Sequence, residues 1–201
     1  MQKLLLSVIV FISGFTILSF EIVGSRMLAP IVGTTAPVWG ALLAVIIAGS
    51  ALGSYIGGAQ SDTNIASSKY VMSTYALAAA WITLSIPIKN IFLTIRPVSH
   101  YGLIALLCGL GLFFVPTVLL SSTTTFLIKR SAHDIKNIGT NAGSLYAIAT
   151  IGSVVGIFGT SYILIPRLSI PFIFYTLTSI TVFGGLCGSK IKMYARQKTN
   201  L

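Results

Sequence analysis

The feature that most constrains the fold is a series of six apolar runs, each about as long as a bilayer is thick. They cover approximately residues 4–25, 36–59, 70–88, 101–127, 140–165 and 169–189. A helix crosses the hydrocarbon core of a bilayer with about 20 apolar residues. The chain is 55% hydrophobic and 8% charged, which leaves too little polar surface for a soluble domain of 201 residues. The sequence therefore predicts an all-α polytopic membrane protein with six transmembrane helices.

The domain organisation that follows is simple. We expect one six-helix transmembrane domain over residues 1–189 and a short, basic cytoplasmic tail over residues 190–201. The first run begins with a basic segment, as signal peptides do, but it is too long and lacks a small-x-small cleavage site. Pro116 lies inside the long fourth run, so a kink is expected there. Trp39 and Trp81 are interpreted as anchors at the membrane interface.

The distribution of Lys and Arg predicts the orientation. With both termini in the cytoplasm, nine of these residues lie inside and four outside, as the positive-inside rule favours. The net charge of +10 does not indicate nucleic-acid binding, because the charges lie at the ends of apolar runs. We therefore expect a multi-pass protein of the cell inner (plasma) membrane, with the lipid bilayer as its main partner.

The sequence predicts no cofactor, no metal site and no catalytic site. Cys108 and Cys187 both lie in apolar runs and are interpreted as packing residues. The chain lacks a Walker motif, a dinucleotide glycine fingerprint, a zinc-ligand cluster and a nucleophile elbow. Paired catalytic carboxylates cannot be assembled from its residues either, so an intramembrane enzyme is the least favoured class of function.

Glu21 is the most informative charged residue. It is the only charge between Lys3 and Arg26, in a chain with 3 acidic residues. An ionisable group inside a span is costly and often functional. Glu21 is either a structural carboxylate, hydrogen-bonded or neutral, or a site for a cation or proton, and both interpretations stay open. Each helical residue turns by about 100°, so Arg26 lies about 140° from Glu21 and cannot pair with it unless the helix breaks near Gly24.

Glycines recur at helical spacing in two of the runs. The second run contains Gly49, Gly53 and Gly57, and the fifth contains Gly152 and Gly156. Small residues at this spacing let helix backbones approach closely in lipid. Close packing is the simpler interpretation, and a seam between moving halves is the alternative. The two runs would be equivalent if helices 1–3 and 4–6 formed an inverted repeat.

Four stretches carry a resemblance to a known family. In chain order they are SGFTILSFEIVGSRMLAPIVGTTAPVW, IIAGSALGSYIGGAQSD, VPTVLLSSTTTFLIKR and GTNAGSLYAIATIGSVVGIFGTSYILIP. As an ordered set they resemble the membrane domain of the spermidine-synthase-like membrane proteins, also described as fused major-facilitator/spermidine synthases. The chain departs from the family pattern at Ser121, Thr125 and Ala149, where the family usually has Gly, Pro and often Asn. It also lacks the family's soluble aminopropyltransferase-like domain, so no enzymatic activity is expected.

The resemblance implies a fold like half of a major-facilitator bundle and a transporter-like function, with a polyamine or another organic cation as substrate. Glu21, Arg26, Tyr146 and Thr150 are the candidate substrate-binding residues. Tyr146 and Thr150 lie one turn apart in the fourth stretch, where they either line a cavity or form structural hydrogen bonds. A half-sized bundle would enclose a pathway more easily as a homodimer.

Two further expectations concern the cytoplasmic side. The sequence GSYIGGAQSD, which ends in Asp62, resembles the loop of major facilitators in which an acidic residue helps latch the inner gate. Asp62 could instead be an ordinary solvated carboxylate at a helix end. In the alternative function, the chain is a membrane anchor or scaffold for a separately encoded aminopropyltransferase-like partner. That partner would dock on the basic loop 129–137 and on the tail.

Overall fold

A computed structural model describes residues 2–63, 65–93, 101–131 and 138–191, with side chains throughout except at 89–93 and 138. This part of the chain contains helices and short connections, and no strand. We number the helices as follows: α1 Gln2–Val32, α2 Ala36–Ser61, α3 Ser67–Leu93, α4 Tyr101–Ser131, α5 from Ile138–Phe158 through Gly159–Leu164 to Ile165–Arg167, and α6 Ile170–Ser189.

All six helices are long and apolar enough to cross a membrane, which confirms the predicted all-α, six-span architecture. Most of the predicted basic tail lies outside the described residues, as does segment 132–137 of the basic loop. α1 continues without a break through Gly24 to Val32, where the expected span ended near residue 25. A methyl group added at Gly24 would collide with the ring of Phe113, so this glycine serves the packing of α1 on α4.

Two helices contain a π-helical turn just before a proline. In α4 the turn covers Leu110–Phe114 and precedes Pro116, and in α5 it covers Gly159–Leu164 and precedes Pro166. Proline lacks the backbone N–H and its ring pushes on the carbonyl four residues earlier, and a wider turn accommodates both effects. The helix irregularity expected at Pro116 therefore lies in the turn that precedes it.

Trp81 supports the π-helical turn of α4. Its indole Nε1 donates a hydrogen bond to the backbone oxygen of Gly111, at 3.3 Å. Trp81 lies near the middle of α3 and not near a span end, so its interpretation as an interfacial anchor is wrong. The indole has instead become the donor for a carbonyl in an irregular turn, which hydrocarbon could not satisfy. Trp39 does lie at a span end, in the first turn of α2, and is 38% exposed.

α1 is the central helix of the bundle and contacts both apolar clusters of the core. In one cluster Phe20 makes edge contacts with the rings of Phe113 and Phe174, at centroid distances of 5.2 and 5.4 Å. In the other, the fully buried Tyr75 of α3 donates a hydrogen bond to the oxygen of Ile9 at 2.7 Å. These contacts fix α1 against α3, α4 and α6.

The glycines of α5 pack on the backbone of α1. A Cβ at Gly156 would lie 2.5 Å from the carbonyl oxygen of Phe15, and one at Gly152 would overlap the carbonyl oxygen of Phe11. Residue numbers increase in the same direction along both helices, so α1 and α5 run parallel. The predicted close approach at Gly152 and Gly156 is confirmed, and no larger residue fits this seam without a shift of backbone.

The glycines of α2 pack on α4 in the same way. A Cβ at Gly53 or Gly57 would overlap the carbonyl oxygen of Val118 or Ser122, respectively. At Gly49 the contact is looser, because a Cβ would lie 3.3 Å from the side chain of Thr117. α2 and α4 also run parallel. The predicted packing is therefore confirmed at Gly53 and Gly57, and it is less strict at Gly49.

The two glycine seams are equivalent under an inverted repeat. Exchanging α1 with α4 and α2 with α5 converts the α1–α5 pair into the α4–α2 pair, and the third major pair, α3–α6, converts into itself. Val118 and Ser122 follow Phe11 and Phe15 by the same interval, 107 residues. Since two spans lie between α1 and α4 and successive spans alternate in direction, the two helices point in opposite directions through the bundle. The contacts thus display a repeat that residue identity does not reveal.

Candidate functional site

A polar cavity of about 230 Å³ lies where α1, α2, α4 and α5 meet. We call it the central cavity. Its lining is rich in hydroxyl groups, although it lies in the part of the bundle that spans apolar lipid. The polar lining residues are Ser50, Ser54, Ser121, Thr124, Thr125, Tyr146, Thr150 and Ser153.

The central cavity lies on the axis that relates the two halves of the repeat. From α1 it is lined by Gly14, Ile17 and Leu18, and their equivalents in α4 under the 107-residue interval are Ser121, Thr124 and Thr125. Both sets line the same cavity, but only the α4 set is polar. Transporters built from inverted repeats bind substrate at the interface between the repeats, near the midplane. The cavity therefore lies between the two halves of the repeat and has one polar wall.

Tyr146 and Thr150 both line this cavity. The Tyr146 side chain is 68% exposed, so its phenol is open to a ligand or a partner. Thr150 donates its hydroxyl proton to the backbone oxygen of Tyr146 at 3.0 Å, and Ser153 likewise bonds to Ala149 at 3.2 Å. These two hydroxyls keep acceptor capacity toward the cavity. Their protons serve their own helix, so both interpretations of Thr150 apply in part.

Glu21 lies on the side of α1 that faces the central cavity, but it is covered. On a helical wheel it is about 20° from Gly14 and about 40° from Ile17, both of which line the cavity. Its side chain is only 4% exposed. Its equivalent in α4 is Ile128, which does line the cavity. The repeat thus places a carboxylate in one half where the other half has an aliphatic side chain.

Arg26 lines a second cavity, of about 440 Å³, at the end of the bundle that carries the turn between α1 and α2. We call it the Arg26 cavity. Glu21 falls between the last α1 residue of the central cavity, Leu18, and the first of the Arg26 cavity, Ile22. The structure therefore does not bring the four candidate residues into one site. It places Tyr146 and Thr150 in one cavity, Arg26 in another, and Glu21 in the wall between them.

No ion pair forms between Glu21 and Arg26. Within the described ranges the one salt bridge joins Lys129 and Asp62, at the opposite end of the bundle from Arg26. This agrees with the helical geometry, since α1 does not break at Gly24.

Two buried hydroxyls on the seam between α1 and α5 were not singled out from the sequence. Ser19 and Thr160 are both fully buried, and among the described residues neither hydroxyl has a hydrogen-bond partner. The parallel register that matches Phe15 with Gly156 places Ser19 level with Thr160 on the seam between α1 and α5. A buried hydroxyl without a partner is costly, and it often indicates a bound water, ion or ligand. Single-sequence patterns could not reveal this pair, because it depends on the register of two distant helices.

Asp62 and the end of α4 form a polar clamp at the end of the bundle that carries the N-terminus of α1. Lys129 Nζ bonds to Asp62 Oδ2 at 2.6 Å and to the backbone oxygen of Gly58 at 3.1 Å. The buried Arg130 donates to the oxygens of Ser61 at 2.9 Å and Thr63 at 2.5 Å. Two basic side chains of α4 thus satisfy free carbonyls at the C-terminus of α2. The negative end of the helix dipole also favours cations there. The side chain of Asp62 is 64% exposed, so it is both paired and solvated.

The clamp leads to a prediction about two neighbouring bases. We expect Arg130→Gln to lower the thermal stability of the purified protein more than Lys129→Gln does. Arg130 is buried and serves two carbonyls, and its loss leaves the acceptor of the buried Ser61 unsatisfied, at about 1–3 kcal/mol. Lys129 is 47% exposed, and an exposed ion pair contributes about 0–1 kcal/mol. Equal melting temperatures for the two variants would contradict this assignment.

The described residues contain no group of three or more His, Cys, Asp or Glu side chains that could hold a metal ion. Comparisons of the chain with family models, curated proteins and solved structures found no match.

Proposed function

We propose that the chain is a small membrane transporter-like protein that moves a small organic cation through the central cavity. The observation that carries this proposal is the position of Glu21, a buried carboxylate on the side of α1 that faces the hydroxyl-lined central cavity. A carboxylate buried in a membrane span is a default candidate for an ion or substrate pathway. The hydroxyl-rich wall of the central cavity offers acceptors for an ammonium group.

The choice of a polyamine within this class rests on the resemblance to the spermidine-synthase-like membrane proteins. A polyamine presents several ammonium groups along a flexible chain. Glu21 would attract one of them, and the oxygens of Tyr146, Thr150 and Ser153 would accept hydrogen bonds from another. The seams at Gly53–Val118 and Gly152–Phe11 would guide any relative motion of the helix pairs, because close backbone contacts tolerate sliding better than interlocked side chains do.

A homodimer completes this proposed site. Tyr146 and Ser54 are exposed on the face of the bundle where the central cavity opens, and a polar face is unfavourable in contact with lipid. Large apolar side chains surround it, including Ile47 at 67% and Tyr55 at 76% exposure. A second copy placed face to face would cover both the hydroxyls and the apolar rim. It would also supply the second wall of the pathway.

The test is uptake into proteoliposomes reconstituted with the purified protein. Labelled spermidine and putrescine should accumulate above protein-free liposomes, while neutral amino acids should not. Each substrate is measured with and without an imposed pH gradient, which also shows whether protons are coupled. Absence of uptake for every cation, with protein correctly inserted in both orientations, would overturn the proposal.

The membrane-anchor alternative is less favoured by the clamp. Two of the basic residues that would form its docking surface, Lys129 and Arg130, are already engaged with the end of α2. Of the rest of that surface, Ser131, Lys190 and Ile191 are described and Lys190 is exposed, while residues 132–137 and 192–201 lie outside the described part of the chain. The anchor function would be supported if a soluble aminopropyltransferase-like protein co-purified with the chain and no uptake occurred.

We further propose that both termini are cytoplasmic, on the charge distribution of nine Lys and Arg inside against four outside. Six spans put both termini on one side whichever way the bundle is inserted. A cysteine introduced at Lys198 should react with a membrane-impermeant maleimide only after the cells are opened. A cysteine at Lys89 should react in intact cells. The reverse pattern would contradict the orientation.

A further inference from the structure

The Arg26 cavity is a second polar site that the proposed transport does not use. It is formed by the end of α1, the turn that contains Gly33, the first turn of α2 and the π-helical turn of α5. Gly33 has φ of 77°, a value that favours glycine, and it lets the chain reverse in three residues between α1 and α2. The volume of about 440 Å³ is within the range of clefts that hold small molecules.

The charge in this cavity is not balanced by the described part of the protein. Arg26 is exposed, and among the described residues it is the only ionisable side chain that lines the cavity. Asp62 is paired with Lys129 at the other end of the bundle, and Glu21 lies about 140° around α1 from Arg26. The start of α2, a 26-residue helix, adds the positive end of a helix dipole to the same cavity. Both contributions favour an anionic ligand.

The remaining lining residues indicate what kind of anion fits. Thr34 and Ser161 provide hydroxyl groups near the mouth, and Val38, Trp39, Leu42 and Ile165 provide an apolar wall. Trp39 lies at a span end, where tryptophan rings sit at the level of lipid head groups. A guanidinium matches a phosphate by bidentate hydrogen bonding. A ligand with a phosphate head and an apolar chain would satisfy both parts of the cavity.

We propose that the Arg26 cavity binds the phosphate head group of an anionic lipid, with the guanidinium of Arg26 on the phosphate and the lipid chain along the wall of Trp39 and Ile165. Because the cavity lies between α1, α2 and α5, the bound lipid would connect helices that belong to different glycine seams. Binding of the lipid should therefore raise the melting temperature of the whole bundle.

The experiment uses the full chain, purified in a neutral detergent. Binding is measured by native mass spectrometry and by thermal unfolding, during titration with phosphatidylglycerol, phosphatidylcholine or glycerol phosphate. Phosphatidylglycerol should bind and raise the melting temperature, and the other two should have much smaller effects. If glycerol phosphate stabilises the protein as strongly as phosphatidylglycerol does, the site takes a soluble phosphate and the lipid assignment is overturned.

Arg167 provides the matched control for Arg26. It is also an exposed arginine near the same end of the bundle, but it does not line the cavity, and its Nη1 donates to the oxygen of Ile163 in its own helix at 3.3 Å. Arg26→Gln should weaken phosphatidylglycerol binding about tenfold, the loss expected for a charge-assisted hydrogen bond, and Arg167→Gln should not. Arg26→Lys, which keeps the charge, should retain part of the binding. Equal losses in the two Gln variants would mean general attraction to the interface and would overturn the site.

Discussion

Replacing Glu21 with Gln is expected to abolish most cation uptake while the fold survives. Glutamine keeps the shape of the side chain and can still form hydrogen bonds, but it lacks the charge that attracts a cation in a low-dielectric environment. Uptake should fall by about tenfold or more, the scale of one charge-assisted interaction. The measurement is initial uptake of a labelled polyamine into proteoliposomes, together with the melting temperature of the same preparation.

Glu21→Asp is the control, since it keeps the charge on a shorter side chain and should retain more uptake than Glu21→Gln. Uptake by the wild type should also decrease as the pH is lowered, because protonation of the carboxylate removes the same attraction. The opposite result would contradict the proposal. If Glu21→Gln transports normally but melts at a much lower temperature, Glu21 is a structural carboxylate and the transport proposal loses its main support.

Adding a single methyl group should change the stability of the protein at Gly57 but not lower it at the adjacent Gly58, both in α2. A Cβ at Gly57 would overlap the backbone of Ser122, whereas one at Gly58 would have no atom within 4 Å. Gly57→Ala should therefore destabilise the protein by about 1–3 kcal/mol, as overpacking does. Gly58→Ala should be neutral or slightly stabilising, because alanine is the better helix former. Gly53→Leu, with a larger side chain against Val118, should be still more destabilising.

Unfolding in mixed detergent micelles measures the stability of these variants, and proteoliposome uptake measures their activity. The two assays also distinguish tight packing from a sliding seam. A loss of stability in Gly57→Ala supports packing, while normal stability with lost uptake supports motion along the seam. If Gly57→Ala and Gly58→Ala are alike in both assays, the α2–α4 seam does not hold the helices together.

The two halves of the bundle are related by an inverted repeat. The exchange of α1 with α4 and of α2 with α5 preserves the main contacts, and it also relates the lining of the central cavity on its two sides. The two halves differ in chemistry at one position of interest: Glu21 in α1 is a carboxylate, and its equivalent in α4, Ile128, is aliphatic. Under the proposed function, one carboxylate per chain would give one cation position per chain and two in a homodimer.

The amino-acid sequence by itself determined the six spans, the two glycine rows and the position of Glu21 as an isolated charge within a span. These features are local, since the length of an apolar run, the spacing of small residues and a charge within a span can each be read without knowledge of any neighbour. For the same reason the sequence predicted the absence of an ion pair between Glu21 and Arg26, which depends only on the turn of one helix.

Only the tertiary structure decided which helices pair and which faces point inward. In a membrane helix the lipid side is as apolar as the core, so periodicity does not separate Gly57, where a Cβ would overlap Ser122, from Gly58, where a Cβ would have no atom within 4 Å. The same ambiguity hid the role of Trp81 and the clamp of Arg130 on α2. Nor could the sequence reveal that Tyr146 and Arg26 line two different cavities with Glu21 in the wall between them. That arrangement depends on the register of helices far apart in the chain.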